Sequence, residues 1–102
     1  MKTMKGFEKK YLRGLAHDLR PLVLIGKEGI TDGIVRATDE GLSRHELIKI
    51  KFVDFKEKET LTGELFDRTG SELIGTIGHT AILYRPQTDP AKRRIQLPTK
   101  GK

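Results

Sequence analysis

Two short stretches carry residue types that could do chemistry: Gly26-Lys27-Glu28-Gly29 and His45-Glu46. The second begins like the zinc-protease pattern H-E-x-x-H, but its last position is Lys49. His17, His45 and His79 lie far apart with no ligand spacing, and the chain has no cysteine to supply a thiolate. His45, near the end of a helical stretch, more simply complements the helix dipole. No G-x-S-x-G elbow surrounds Ser43 or Ser71, and neither G-x-x-x-x-G-K-[ST] nor G-x-G-x-x-G is present. The expectation is a protein that is not an enzyme, with no cofactor, no metal and no small-molecule substrate.

The G-x-x-G stretch is different in kind. Small residues let a phosphodiester approach the main chain closely, and a lysine adds a point charge. The pattern alone is weak, because Gly75-Thr76-Ile77-Gly78 also satisfies it. Context separates the two. Gly26–Gly29 follows the apolar run Leu22-Val23-Leu24-Ile25 and precedes Thr31, a helix-capping type, so it joins a strand to a helix N-terminus. Unpaired N–H groups and the positive dipole end face an anion there. A β-α turn needing glycine at one or two positive φ values would explain the same residues.

The elements around it follow from periodicity. Phe7, Tyr11, Leu12, Leu15, Ala16 and Leu19 fall on one side of a helix over 6–20, with Lys9, Lys10, Arg13, His17 and Arg20 opposite. Pro21 ends it. A strand is expected over 22–26, and a helix over 30–44 with Ile34, Val35, Thr38 and Leu42 inward. Residues 47–53, LIKIKFV, alternate as a half-buried strand with Lys49 and Lys51 on one face. Leu61, Leu65 and Phe66 suit a third helix ending at Arg68 with Gly70 beyond it, and two strands follow, joined tightly at Gly78-His79-Thr80. The order α-β-α-β-α-β-β predicts a single α/β domain over 1–86 with the last two strands antiparallel. After Pro86 the apolar pattern stops, and 87–102 reads as a basic, flexible tail in which Ile95 and Leu97 could dock.

Charge points to a partner. The 102 residues carry +6 net. Residues 1–27 hold seven Lys/Arg against two acids, 28–86 eight against eleven, and 87–102 five against one. Two basic ends around a mildly acidic middle favour a polyanion, nucleic acid or anionic membrane, over a purely solubilising excess. No run approaches the roughly 18 apolar residues of a membrane span, and MKTMKGFEKK leads into no apolar signal core. The first helix has only the apolar residues that one buried face needs, so lipid binding is the weaker reading. A cytoplasmic monomer is expected. The few aromatics, Phe7, Tyr11, Phe52, Phe55, Phe66 and Tyr84, mostly sit in the apolar pattern, so recognition by backbone and shape is favoured over base stacking.

The segments YLRGLAHDLRPLVLIGKEGITDGIV, RHELIKIKF and TIGHTAILYRP, in that order over residues 6–86, together with the closing RRIQLP, closely resemble the YhbY-like CRM domain proteins. These are the bacterial single-domain form of a module also found in plant chloroplast group II intron splicing factors. The resemblance implies a four-stranded mixed sheet packed with helices, similar to the C-terminal domain of bacterial translation initiation factor three. It also implies RNA binding through the G-x-x-G loop and adjacent basic surface, and association with precursors of the large ribosomal subunit to assist assembly. Carried onto this chain, the loop is Gly26, Lys27, Glu28 and Gly29, leading into Thr31. The basic surface is the helix bearing Lys9, Lys10, Arg13 and Arg20, with Arg85 from YRP. Glu28 stands where many relatives are neutral or basic. The rival expectation is an adaptor that binds a protein on ribosomal particles with no direct RNA grip.

Overall fold

Pro21 cannot continue a helix, and the chain turns there into the first strand. In the computed structural model, which describes residues 4–53 and 58–98 apart from the side chains of 58–62, the order is α1 (Gly6–Ala16), β1 (Pro21–Ile25), α2 (Asp32–His45), β2 (Leu47–Phe52), α3 (Lys58–Thr69), β3 (Glu72–Ile77), β4 (Thr80–Tyr84) and a short 3₁₀ turn at Pro90–Lys92. The expected order of helices and strands is the observed one. The expected inward Leu61 side chain and Phe55 lie outside the described residues.

The strands form one mixed sheet, β1-β2-β4-β3. β1 runs parallel to β2, as the intervening helix requires, and the other neighbours are antiparallel. Helices cover both faces. Val23, Ile25, Ile48, Ile50, Phe52, Ala81 and Leu83 pack with Leu42 of α2 and Leu65 of α3. Leu47, Ile74, Ile82 and Tyr84 pack on the opposite face with Leu12 and Ala16 of α1. This explains why β2, expected to be half buried, buries both Leu47 and Ile48. At 11 residues α1 is too short to be stable in isolation. Its fully buried Leu12 contributes on the order of 2 kcal/mol, more than any single surface pair on the helix.

Local signals set the boundaries. The Thr31 hydroxyl accepts from the Ile34 N–H at 3.2 Å and caps α2. Gly70 adopts φ +67° after α3, with the Ser71 N–H donating back to the Phe66 carbonyl at 3.0 Å. The β3–β4 turn places Gly78, φ +57°, at its first central position, where a two-residue hairpin of the II′ type needs a positive φ. Gly75, from the second G-x-x-G, has a packing role: the stem of Arg13 lies 3.2 Å from where a Cβ would be.

The segment after Pro86, expected to be a flexible tail, is tied to the domain up to Pro98. Glu46, fully buried at φ +66°, is the holding group. Its carboxylate accepts the Gln87 N–H at 2.7 Å, the Arg94 N–H at 2.7 Å and the Ile95 N–H at 2.9 Å. Ile95 and Leu97 then pack against the α1 cluster. Three N–H donors satisfy the carboxylate, which is why it can be buried. Burial first, and the Glu46 carboxylate second, push the Tyr84 hydroxyl above its usual pKa.

Candidate nucleic-acid interface

Gly26–Gly29 leaves the end of β1 and closes as a turn, the Gly29 N–H donating to the Gly26 carbonyl at 3.1 Å. Gly29 has φ +74°, whereas Lys27 and Glu28 do not enter the left-handed region. That is the pattern of a type I turn with glycine at its fourth position. Only Gly29 therefore needs to be glycine for conformation. Gly26 has nothing within 4 Å of where a Cβ would lie, so its backbone is open to close approach. Lys27 and Glu28 project into solvent.

The turn delivers the chain to the N-terminus of α2. Thr31 is engaged as the cap, which leaves the Asp32 and Gly33 N–H groups as the first of the helix without intrahelical acceptors. Asp32 places a carboxylate beside the same terminus, offset in part by Arg68, whose guanidinium approaches it to 3.4 Å. The site is thus a helix N-terminus with mixed charge, flanked by a lysine at the turn.

The first helix carries the basic surface expected from the sequence. Glu8 lies close enough to act on Tyr84 of β4, Arg13 crosses Gly75 of β3, and Lys49 of β2 donates to the His17 carbonyl at 3.1 Å. α1 therefore runs across the sheet from the β3–β4 side to β2. Lys9, Arg13 and His17 recur every fourth residue along one flank. Lys10 lies round the helix, in a cleft with Phe7, Tyr11, Gly14 and Pro98.

The other expected cations separate. Arg20 precedes β1 and stands at the end of that strand opposite the loop, about 13 Å away along five residues. Arg85 follows β4 at the same far end, and its guanidinium is committed to the protein. It donates to Asp39 Oδ1 at 2.6 Å, the Thr69 carbonyl at 2.7 Å, Ser43 Oγ at 2.9 Å and the Asp39 carbonyl at 3.0 Å. Of the sheet lysines, Lys49 closes the end of α1 while Lys51 is exposed on the half of the face that α1 leaves open. Lys51 gave a sequence signal by its alternation, but which face was open depended on where α1 crossed.

Comparison with known proteins agrees with this architecture. The CRS1 / YhbY (CRM) domain model matches residues 4–85. An RNA-binding protein of Haemophilus influenzae is 37% identical over 102 residues, spanning 98% of this chain and 100% of that protein. The probable RNA-binding protein YqeI of Bacillus subtilis is 32% identical over 97 residues, 93% of this chain and 99% of that protein. The solution structure of the hypothetical protein SAV1595 from Staphylococcus aureus superposes with a TM-score of 0.79 at 36% identity, covering 94% of this chain and all of that one.

Proposed function

The chain belongs to the CRS1 / YhbY (CRM) domain family, and on that premise we propose that it binds RNA without catalysing a reaction on it. The observation that carries the reading is the turn at Gly26–Gly29. It presents open backbone and Lys27 at the start of α2, at the β1 edge of the sheet. Such a site takes phosphates by charge and by backbone N–H donation, and reads no sequence through those contacts. Gly26, Lys27, Glu28, Gly29 and the Thr31-capped helix start form the grip, and Lys9, Lys10 and Arg13 on α1, across the sheet from the loop, a second basic surface for the same RNA. Arg20 and Arg85 lie outside this footprint. The resemblance seen in the sequence supports a finer proposal: the RNA is ribosomal, in precursors of the large subunit, and the protein assists their assembly as a cytoplasmic monomer.

Fluorescence-polarisation titration with large-subunit RNA fragments tests it. With about four phosphates neutralised, affinity falls about fiftyfold between about 50 and 200 mM salt. An affinity that does not respond to salt contradicts the proposal. A second reading has its own observation. At the far end a cleft of about 320 Å³ is lined by Leu15, Leu19, Leu22 and Ile95 beside Arg20 and His45, a surface suited to an acidic protein segment with apolar anchors. Co-sedimentation with ribosomal particles that persists after RNase treatment favours that adaptor role.

A further inference from the structure

We propose that the open half of the sheet face beside the loop holds an unpaired nucleotide, its base lying on a row formed by Leu24, Lys51, Thr80 and Ile77. The inference rests on the reading that the Gly26–Gly29 turn takes RNA backbone. Strand register builds the row. Leu24 pairs with Lys51, Lys51 with Thr80, and Thr80 with Ile77, so four adjacent strands each present one side chain to the face that carries α1. At about 4.8 Å per strand the row is about 14 Å long, enough for one base and its sugar.

α1 covers only the half of this face that holds Leu47, Ile74, Ile82 and Tyr84. Beyond it Leu24 is 61% exposed and Ile77 67%, and Val53, next on the same face of the chain after Lys51, is 61% exposed. Single exposed apolar residues are ordinary, but these three are grouped around one lysine. The centre of the row tells the partner's class. An apolar protein surface laid on it would bury the Lys51 ammonium without a counter-ion. A nucleotide offers an apolar base face to Leu24, Val53 and Ile77, base-edge acceptors and donors to Thr80, and a phosphate to Lys51. Among the described residues no carboxylate stands in the row, and Arg13 borders it over Gly75, two residues before Ile77. Ile25 alone separates Leu24 from Gly26, so a strand gripped at the loop passes onto the row without leaving the surface. A perfect duplex keeps its base faces stacked and cannot use it.

The test compares a single-stranded RNA of about eight nucleotides with a blunt duplex of the same length. Leu24→Ser/Val53→Ser/Ile77→Ser, all at exposed positions, is expected to weaken the single strand about tenfold and the duplex less than about twofold. In wild-type protein the methyl resonances of Leu24, Val53 and Ile77 move on titration with the single strand, while those of Leu15 and Leu19 at the far end stay still. Equal losses on both RNAs, no loss on either, or unmoved row methyls overturn the row. Gly26→Asp/Lys27→Glu run in parallel separates the two ideas. If it abolishes binding while the row variant does not, the row alone fails; if neither matters, the loop reading fails with it.

Discussion

Arg85 and Lys27 stand at opposite ends of one sheet, and the two cations have opposite surroundings. Arg85 spends its donors on Asp39, Ser43 and the Thr69 carbonyl, closing the space between β4, α2 and the end of α3. Beside it Glu46 gathers three backbone N–H groups and fastens the C-terminal segment. At the loop end Lys27 projects into solvent, and an exposed apolar and cationic row replaces a buried one. A charge whose partners are built into the fold contributes stability. A charge left facing solvent beside open backbone is available to a ligand. The sign of the residue says nothing about which it is; the neighbours decide.

Breaking the far end should therefore cost stability and leave RNA affinity alone. The largest effect is expected from Glu46→Ala, which strands three N–H donors. Urea unfolding should show a loss of about 3 kcal/mol, and proteolysis should cut first within 87–98. Arg85→Ala should cost about 2 kcal/mol by the same measurement, with the affinity of the folded protein for RNA unchanged within about twofold. A large loss of affinity in folded Arg85→Ala would place that residue in the interface and dissolve the contrast between the ends. Neutralising Lys9, Lys10 and Arg13 together should do the reverse. Stability stays within about 0.5 kcal/mol, while the slope of log affinity against log salt becomes shallower by about two to three units. The smallest change sharpens the loop itself. Glu28→Gln removes an anion beside the proposed phosphates and should tighten binding about threefold at low salt, an advantage that fades as salt is raised.

What the sequence made legible was what local rules control. The Thr31 cap, the Gly70 stop and the Gly78 turn each follow from a few neighbouring residues, and each is where capping and turn chemistry put it. The stripe of α1 is met only in part, because the helix ends at Ala16 instead of running to Arg20 and leaves Tyr11, Leu15 and Leu19 exposed. Contacts made at a distance were not legible. In the sequence Glu46 is half of a metalloprotease pattern, yet its use is to hold N–H groups more than forty residues downstream, from a backbone conformation no residue type announces. Arg85 read as one more surface cation because its acceptors come from α2 and from the end of α3. Lys49 and Lys51 are equivalent in the alternating strand, and only the path of α1 over the sheet gives one to the His17 carbonyl and the other to solvent. The second G-x-x-G shows the same limit. Gly75 makes room for Arg13 and Gly78 turns a hairpin, so an identical pattern has a purely structural explanation.

The contrast between the ends is tested most directly by inverting equal charge at each. Gly26→Asp/Lys27→Glu and Arg20→Glu/Lys92→Ala both lower the net charge by three, and all four positions are exposed with no positive φ to strain. Titrated with the same large-subunit RNA fragment at the same salt, the loop variant should lose about a hundredfold or more in affinity and the far-end variant less than about threefold. Equal losses would mean that RNA responds to the charge of the whole protein, and would contradict a grip at the Gly26–Gly29 turn.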